Sequence, residues 1–335
     1  MSEKRIPKRA LGSTGIDVTE LGFGGGPVGN LHRAISDDDA IRAVTEAWIG
    51  GIRYFDTAPL YGFGLSERRI GAALAGRPRQ AFVISTKVGR LLRRPRQTGR
   101  NRHGFVDAPD LEAVFDYSYD GTKRSIEESL DRLRLEYVDI ALIHDIDRWT
   151  HADEQAAVFG QALDGAYRAL SDLKSENRIR AVGLGVNEWE VCRAFADRVP
   201  IDCVLLAGRH TLLEQEASHE FFPFCLDRDI GVIVGGPFNS GILATGAVSS
   251  ALYNYRPAPD EILDRTAQIE RLAARFGISI YSAALSFTLR HPVVTSVIPG
   301  LQSCHEVRAA VASHNGCIPE PFWQALAEHQ LIDEA

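Results

Sequence analysis

The sequence predicts an α/β protein: a (β/α)8 TIM barrel with an N-terminal β-hairpin closing the barrel bottom. Two observations carry this. Eight short apolar runs rich in Val, Ile and Leu recur along the chain, and several lack period-two alternation, which suits parallel strands buried on both faces. Helical stretches sit between them, and eight strand–helix units in about 300 residues make a barrel. A doubly wound sheet also alternates, so alternation alone leaves both architectures open.

The elements follow in order. KRALGSTGIDVT (8–19) reads as a hairpin turning at Ser13, Thr14 and Gly15, placed to plug the N-terminal end of the barrel. The strands are TELGFGG (19–25), IRYFDTA (52–58), AFVISTK (81–87), VDIALIH (138–144), IRAVGLGV (179–186), IDCVLLAG (201–208), GVIVGG (231–236) and VTSVIP (294–299). A helix starts at the Ser36 N-cap with an acidic first turn and ends at Gly50 and Gly51. SERRIGAALAG, TKRSIEESLDRLRL and QALDGAYRALSDLKSEN follow the same logic. No Pro-, Gly- or Ser-rich linker divides the chain, so one domain over 1–335 is expected.

Composition narrows the function. With 335 residues, 45% hydrophobic and 24% charged, the chain can build a full core. A net charge of −7 argues against a nucleic-acid partner, which needs clustered cations. The five cysteines are odd in number and never spaced C-x-x-C, so neither a disulfide framework nor a zinc site is expected. MSEKRIPKR has no apolar run after it, and no stretch approaches the ~20 apolar residues of a membrane span. The expectation is a soluble cytoplasmic protein with no metal and no membrane partner; its oligomeric state is open.

GFGGGPVGN (22–30) matches G-x-G-x-x-G at Gly24, Gly26 and Gly29. In a dinucleotide fold the third glycine opens a helix directly, and an acid follows ~20 residues on. Here the helix signal waits until Ser36, and Glu46 falls inside that helix. The better reading is a loop leaving the first strand, whose small residues let something approach its backbone closely.

On a parallel barrel, chemistry gathers at the C-terminal strand ends. Asp56, Tyr61, Lys87 and His144 lie at or just beyond such ends on strands two, three and four. Each alone has a structural explanation: a turn cap, a rim aromatic, a solvated lysine, a satisfied core histidine. All four at one end form a coherent acid–base group. A lysine beside a tyrosine stabilises the phenolate, and an aspartate keeps the lysine charged. A cation ~4 Å away at an effective dielectric of ~20 supplies ~4 kcal/mol. The tyrosine is therefore expected to fall from its ordinary value toward neutrality, where an acid–base catalyst is useful.

These residues carry a resemblance. D-T-A-x-x-Y-G, the strand-end lysine and the strand-end histidine match the catalytic tetrad of the aldo-keto reductases, over about residues 8–312. The family resemblance implies a nicotinamide cofactor bound without a Rossmann motif, with Gly24, Gly25 and Gly26 under the nicotinamide ribose. FDYSYDGTKRSIEESLDRL, LIHDIDRWTH, VGLGVNEWE, LLAGRHTLLEQ and GGPFNSGILATG are similar to the D-threo-aldose 1-dehydrogenase and pyridoxal 4-dehydrogenase subgroup. It further implies Phe238, Asn239, Ser240, Gly241 and Leu243 over the pyrophosphate, and Gly300, Gln302 and Ser303 on the adenosine side. The usual Ser-Asn after strand five is Val186-Asn187 here, which makes Asn187 the candidate for the carboxamide. The usual glutamine after strand six and the nicotinamide-stacking tyrosine after strand seven are replaced around Ala207 and Gly235.

The activity this implies is NAD-dependent oxidation of the anomeric hydroxyl of an aldose, of L-fucose, D-arabinose or L-galactose type, to a lactone. The rivals are a pyridoxal 4-dehydrogenase or general aldehyde or ketone reductase with the same tetrad, and a non-catalytic cofactor-binding redox sensor. Trp149, His210 and Tyr253 are candidate substrate contacts. NAD is expected over NADP: where NADP-specific relatives clamp the 2′-phosphate with Lys and Arg, this chain has Gly300 and Glu306. The basic run GRLLRRPRQTGRNRHG (89–104) reads as a solvated loop, with a rim contact to an anion or a partner subunit as the alternative.

Overall fold

The computed structural model describes residues 6–95 and 101–333. Eight strands form one parallel sheet: β1 (Phe23–Gly24), β2 (Tyr54–Asp56), β3 (Val83–Val88), β4 (Ile140–His144), β5 (Ala181–Val186), β6 (Cys203–Ala207), β7 (Gly231–Gly235) and β8 (Val294–Ile298). Each falls on one of the eight predicted runs, β3 reaching one residue past its run to Val88, and their order in the sheet is their order in the chain. Parallel bridges Leu21–Val297 and Gly24–Gly300 bring β8 back to β1. The Gly22 and Gly24 N–H groups donate to the Val297 and Pro299 carbonyls at 2.9 Å, so the sheet closes into a (β/α)8 barrel.

The barrel is filled by side chains. Tyr54, Val83, Ile140, Leu142, Ala181, Cys203, Leu205, Ile233 and Ile298 pack inward. The predicted hairpin, Lys8–Ala10 paired antiparallel with Asp17–Thr19, adds Leu11, Ile16 and Val18 to this layer and seals the bottom. A second layer joins the outer strand faces to the helices. The helix Asp37–Ile49 begins as expected, with Ser36 Oγ accepting the Asp39 N–H at 3.1 Å. The stretch expected as one helix at 161–177 contains a π turn, Ala162–Tyr167, before the helix Arg168–Ser175.

Two hairpins at the mouth were not anticipated. Leu252–Tyr253 pairs with Arg256–Pro257. Arg90–Arg93 pairs with Glu112–Phe115, which corrects the solvated-loop reading of the basic run. Arg90 is buried in an ion pair with Asp145, and Arg93 bonds Glu128 at 3.1 Å. Arg102 donates to the carbonyls of Ala108, Pro109 and Leu111. Phe105 from the same segment packs on Tyr61 and Phe63, with ring centroids 6.3 and 6.2 Å away. Arg96 and Arg100 lie outside the described residues.

The glycine pattern at 24–29 has a packing role. A Cβ on Gly29 would lie 2.7 Å from the Tyr61 carbonyl carbon, and one on Gly62 would lie 2.3 Å from the Gly29 oxygen. The β1 loop and the Tyr61–Gly62 turn therefore meet backbone to backbone, and Gly62 holds φ +62°, which favours glycine. Gly24 and Gly25 are similarly closed in by Pro299 and by the Asp56 carbonyl; Gly26 alone of the three faces open space.

This contact sets where Tyr61 stands. Gly29→Ala should destabilise the fold by about 1–3 kcal/mol through overpacking and displace the Tyr61 turn. Melting temperature and turnover are both expected to fall. Gly160→Ala, whose added methyl meets nothing within 4 Å, is the control and should change neither.

Candidate active site

The sheet brings the four reactive side chains together. Asp56 ends β2, Lys87 is the penultimate residue of β3, and His144 ends β4, so neighbouring strands deliver them to one rim of the barrel mouth. Tyr61 arrives on the turn after β2, held by its N–H to the Ala58 carbonyl at 3.0 Å.

Lys87 is fully buried, and its Nζ donates to Asp56 Oδ2 at 2.7 Å and to the Thr57 carbonyl at 2.9 Å. Asp56 Oδ1 accepts from Ser85 Oγ at 2.7 Å, and Ser85 Oγ lies 3.0 Å from the Tyr54 hydroxyl. Both carboxylate oxygens are therefore occupied, which fixes the pair in one geometry. Burial works against the Lys87 charge, but Asp56 and Tyr61 outweigh it and hold the ammonium above its ordinary value. Lys87 Nζ lies 4.6 Å from the centroid of the Tyr61 ring, and His144 meets that ring edge-on at 6.2 Å.

One electrostatic expectation is corrected. Tyr61 is not lowered toward neutrality: burial pushes it up to about 12, although Lys87 pulls the other way. The Coulomb gain of a nearby cation is real, but removing the phenolate from water outweighs it. His144 moves in the opposite sense. Burial, then the charges of Arg90 and Lys87, hold its imidazole well below the ordinary value, so it is neutral near pH 7.

Further polar groups that the sequence reading passed over stand at the same rim. Arg90 Nη2 bonds Asp145 Oδ2 at 2.7 Å, and Asp145 Oδ2 lies 3.5 Å from His144 Nε2. Arg209, after β6, donates from Nε to the Asn187 carbonyl at 2.5 Å and pairs with Glu214 at 3.3 Å. A signal for Asp145 and Arg90 did exist: each follows a strand end that already carries a reactive residue.

The residues assigned to a cofactor separate into two groups. Asn187 follows β5 beside Asp145, its N–H bonded to Asp147 at 2.7 Å. Phe238 stacks on Tyr281 at 4.4 Å, and Tyr281 feels the Glu306 charge, so the segments after β7 and β8 converge. Asn239 is buried, bonded to Thr211 and to the Gly208 carbonyl, and Leu243 is wholly inside a second apolar core. Ser240 Oγ accepts the Tyr255 N–H at 2.9 Å, while a Cβ on Gly241 would meet nothing. Ser303 caps the helix Cys304–His314; Glu306 Oε2 accepts the Gln302 N–H at 2.7 Å, and Gln302 Oε1 is buried without a partner among the described residues. The Gly300 Cβ position is filled by the Pro27 ring.

The three substrate candidates do not share one place. Trp149 is exposed at the rim, 5.9 Å from the Arg209 guanidinium. Tyr253 donates its hydroxyl to Glu214 in the loop over the mouth. His210 turns away from the tetrad. It is buried among Phe222, Phe287 and His291, in the wall of a separate cavity of about 690 Å³ on the flank of the barrel.

Comparison with known proteins agrees with this geometry. Residues 20–330 match the model of the Aldo/keto reductase family. The chain is 39% identical to the pyridoxal 4-dehydrogenase of Microbacterium luteolum, covering 99% of this chain and 100% of that protein. It is 36% identical to a D-threo-aldose 1-dehydrogenase of Pseudomonas sp, covering 96% and 97%, and 31% identical to the L-galactose dehydrogenase of Arabidopsis thaliana, covering 92% and 88%. Among solved structures, the holo form of an aldo-keto reductase from Bacillus halodurans superposes with a TM-score of 0.74 at 27% identity, covering 99% and 98%. Fold, strand-end residues and sequence thus meet in one assignment: the chain belongs to the aldo/keto reductase family.

Proposed function

We propose that the protein is a dehydrogenase that oxidises the anomeric hydroxyl of an aldose to a lactone, with NAD as cofactor. The observation that carries this reading is the wholly buried Asp56–Lys87 pair set against the Tyr61 ring. Family membership makes the protein a nicotinamide-dependent oxidoreductase; the aldose class rests on the likeness to the D-threo-aldose and L-galactose enzymes.

The residues fit such a cofactor. The orphaned Gln302 Oε1 needs a donor, Gly26 and Gly241 leave their Cβ space open, and the segments after β7 and β8 lie side by side. The nicotinamide, when bound and oxidised, supplies the hydride acceptor. Neutral His144 donates a hydrogen bond to the reacting oxygen and orients it toward Tyr61. Tyr61 removes the hydroxyl proton, and Lys87, kept charged by Asp56, stabilises the phenolate during that transfer. The same groups run backwards would protonate a carbonyl oxygen.

A second reading, oxidation of pyridoxal, is favoured by the higher identity of its namesake, 39% against 36%. The two readings share a chemistry, because pyridoxal also closes to a cyclic hemiacetal. Following NADH formation with L-fucose, D-arabinose, L-galactose, D-glucose and pyridoxal separates them. No turnover with any of these would leave a general aldehyde or ketone reductase and a sensor as the surviving readings.

Tyr61→Phe removes the proposed proton-transfer group and keeps the ring. Turnover should drop by ~10²-fold or more, while cofactor affinity, read by quenching of intrinsic fluorescence, stays near the native value. Normal turnover would discard the assignment of Tyr61.

The pH dependence has a defined sign. Oxidation needs the phenolate, so its rate rises with pH, and Lys87 is the group that pulls Tyr61 down against burial. Lys87→Met removes that pull, and the rising limb of the pH–rate profile should move to higher pH by about one unit or more. An unmoved limb argues that Lys87 does not tune Tyr61.

Cofactor choice follows from the β8 segment. Glu306 is held in place by its bond to the Gln302 N–H, so a 2′-phosphate there meets a fixed anion, whereas a free 2′-hydroxyl meets an acceptor. Arg33 and Arg42 line a cavity beside Gln302 and Ser303, and Arg42 is already paired with Asp39. Catalytic efficiency should be higher with NAD than NADP, and Glu306→Arg should raise efficiency with NADP. The reverse order in the native protein would overturn this assignment and point to Gln302, Arg308 or another rim arginine such as Arg33 as the replacement for the missing clamp.

A further inference from the structure

Arg90 is a buried cation with one hand free. It is 5% exposed, Nη2 bonds Asp145 Oδ2 at 2.7 Å, and Nη1 is buried with no partner among the described residues. The guanidinium is fixed on one side by Phe115, whose ring centroid lies 4.6 Å from Cζ. Its approach to the mouth depends on Gly89. That residue holds φ +102°, and a Cβ there would come within 2.2 Å of the Tyr117 ring. An N–H left unpaired inside a protein is costly, so a partner that arrives with the ligand is the economical explanation.

Asp145 is built the same way. It sits directly after His144 in the left-handed region, φ +49°, which turns its carboxylate back toward the mouth. Oδ2 lies 3.5 Å from His144 Nε2, and among the described residues Oδ1 has only the long contact with Asn187 Nδ2, at 3.5 Å. The pair thus presents a free donor and a free acceptor one side chain away from the nitrogen that would hold the reacting oxygen.

We propose that Arg90 and Asp145 are the specificity-determining pair of this site, gripping the hydroxyl on the carbon next to the reacting carbon. A hydroxyl both accepts and donates, so it satisfies Nη1 and the carboxylate together. An anionic group fits worse. Asp145 already neutralises Arg90, and a carboxylate or phosphate in that place faces the Asp145 charge with no unopposed cation to offset it. The pair therefore selects a neutral substrate with a hydroxyl beside the reacting centre. The inference rests on the dehydrogenase reading above and names a determinant of its substrate.

The test uses the enzyme with NAD and two sugars, D-arabinose and 2-deoxy-D-ribose, which differ only in the oxygen on carbon 2. The native enzyme should prefer D-arabinose in kcat/KM by about 10–100-fold, the value of a hydrogen bond to charged groups. In Arg90→Gln and in Asp145→Asn the preference should shrink to within about threefold, mostly through KM, with cofactor affinity near native. The melting temperature should fall, because each change leaves a buried charge without its partner, so the kinetics are read where the variant is fully folded. Where Arg90→Gln fails to fold, Arg90→Lys serves, since it keeps the charge but loses the planar fork. An undiminished preference in folded variants overturns the pairing and leaves the dehydrogenase reading intact. If pyridoxal is oxidised and no aldose is, the aldose reading falls. Pyridoxal carries no hydroxyl on the carbon next to its reacting carbon, so that outcome overturns the proposed pairing as well.

Discussion

The site depends on one interaction, the ion pair between Lys87 and Asp56 inside the barrel. Both side chains are almost wholly removed from water, where an unpaired charge of either sign costs several kcal/mol. The pair persists because each group's remaining capacity is met: Thr57 accepts from the ammonium and Ser85 donates to the carboxylate. Such a pair adds little net stability compared with apolar side chains. Its consequence is a fixed positive charge at a fixed distance from Tyr61. That charge is the only group at Tyr61 that acts against burial to any large extent, and it sets how far the phenol can be persuaded to ionise.

Positioning comes from backbone contact. Tyr61 lies on a turn after β2, where a loop alone would leave its ring loosely placed. The turn is held by direct contact of Gly62 with Gly29, by Ser66 Oγ donating to the Gly25 carbonyl at 2.7 Å, and by Phe105 and Phe63 packed beside it. The glycine-rich segment after β1 is thus a seat for the tyrosine turn, and barrel closure through Gly24 ties that seat to β8.

Much of this was legible in the sequence. The eight strands were visible because both faces of each are buried, which leaves runs of Val, Ile and Leu without polar interruption. Asp56, Lys87 and His144 stood out because charged or titratable residues end those runs. The hairpin at 8–19 announced itself by its turn residues. What the sequence hid depended on packing. A run with six arginines reads as solvated, and nothing local says that Arg90 folds inward while Phe115, 25 positions on, comes back to cover it. The Tyr61 shift was misread because Coulomb attraction can be estimated from a distance, whereas desolvation needs the whole enclosure. His210 was a candidate substrate contact, but it packs between the Phe222 and Phe287 rings on the flank.

Three cations at the mouth are each paired with a carboxylate: Lys87 with Asp56, Arg90 with Asp145, Arg209 with Glu214. The pairing has a consequence for selectivity. A mouth with a free cation would draw in phosphorylated or carboxylated metabolites, and one with a free anion would raise Tyr61 still further. With these three cations neutralised, the site offers hydrogen-bonding groups in fixed directions. Such a site favours a neutral molecule with several hydroxyls, and it leaves the one charge that changes during reaction, on Tyr61, governed mainly by its own burial and by Lys87.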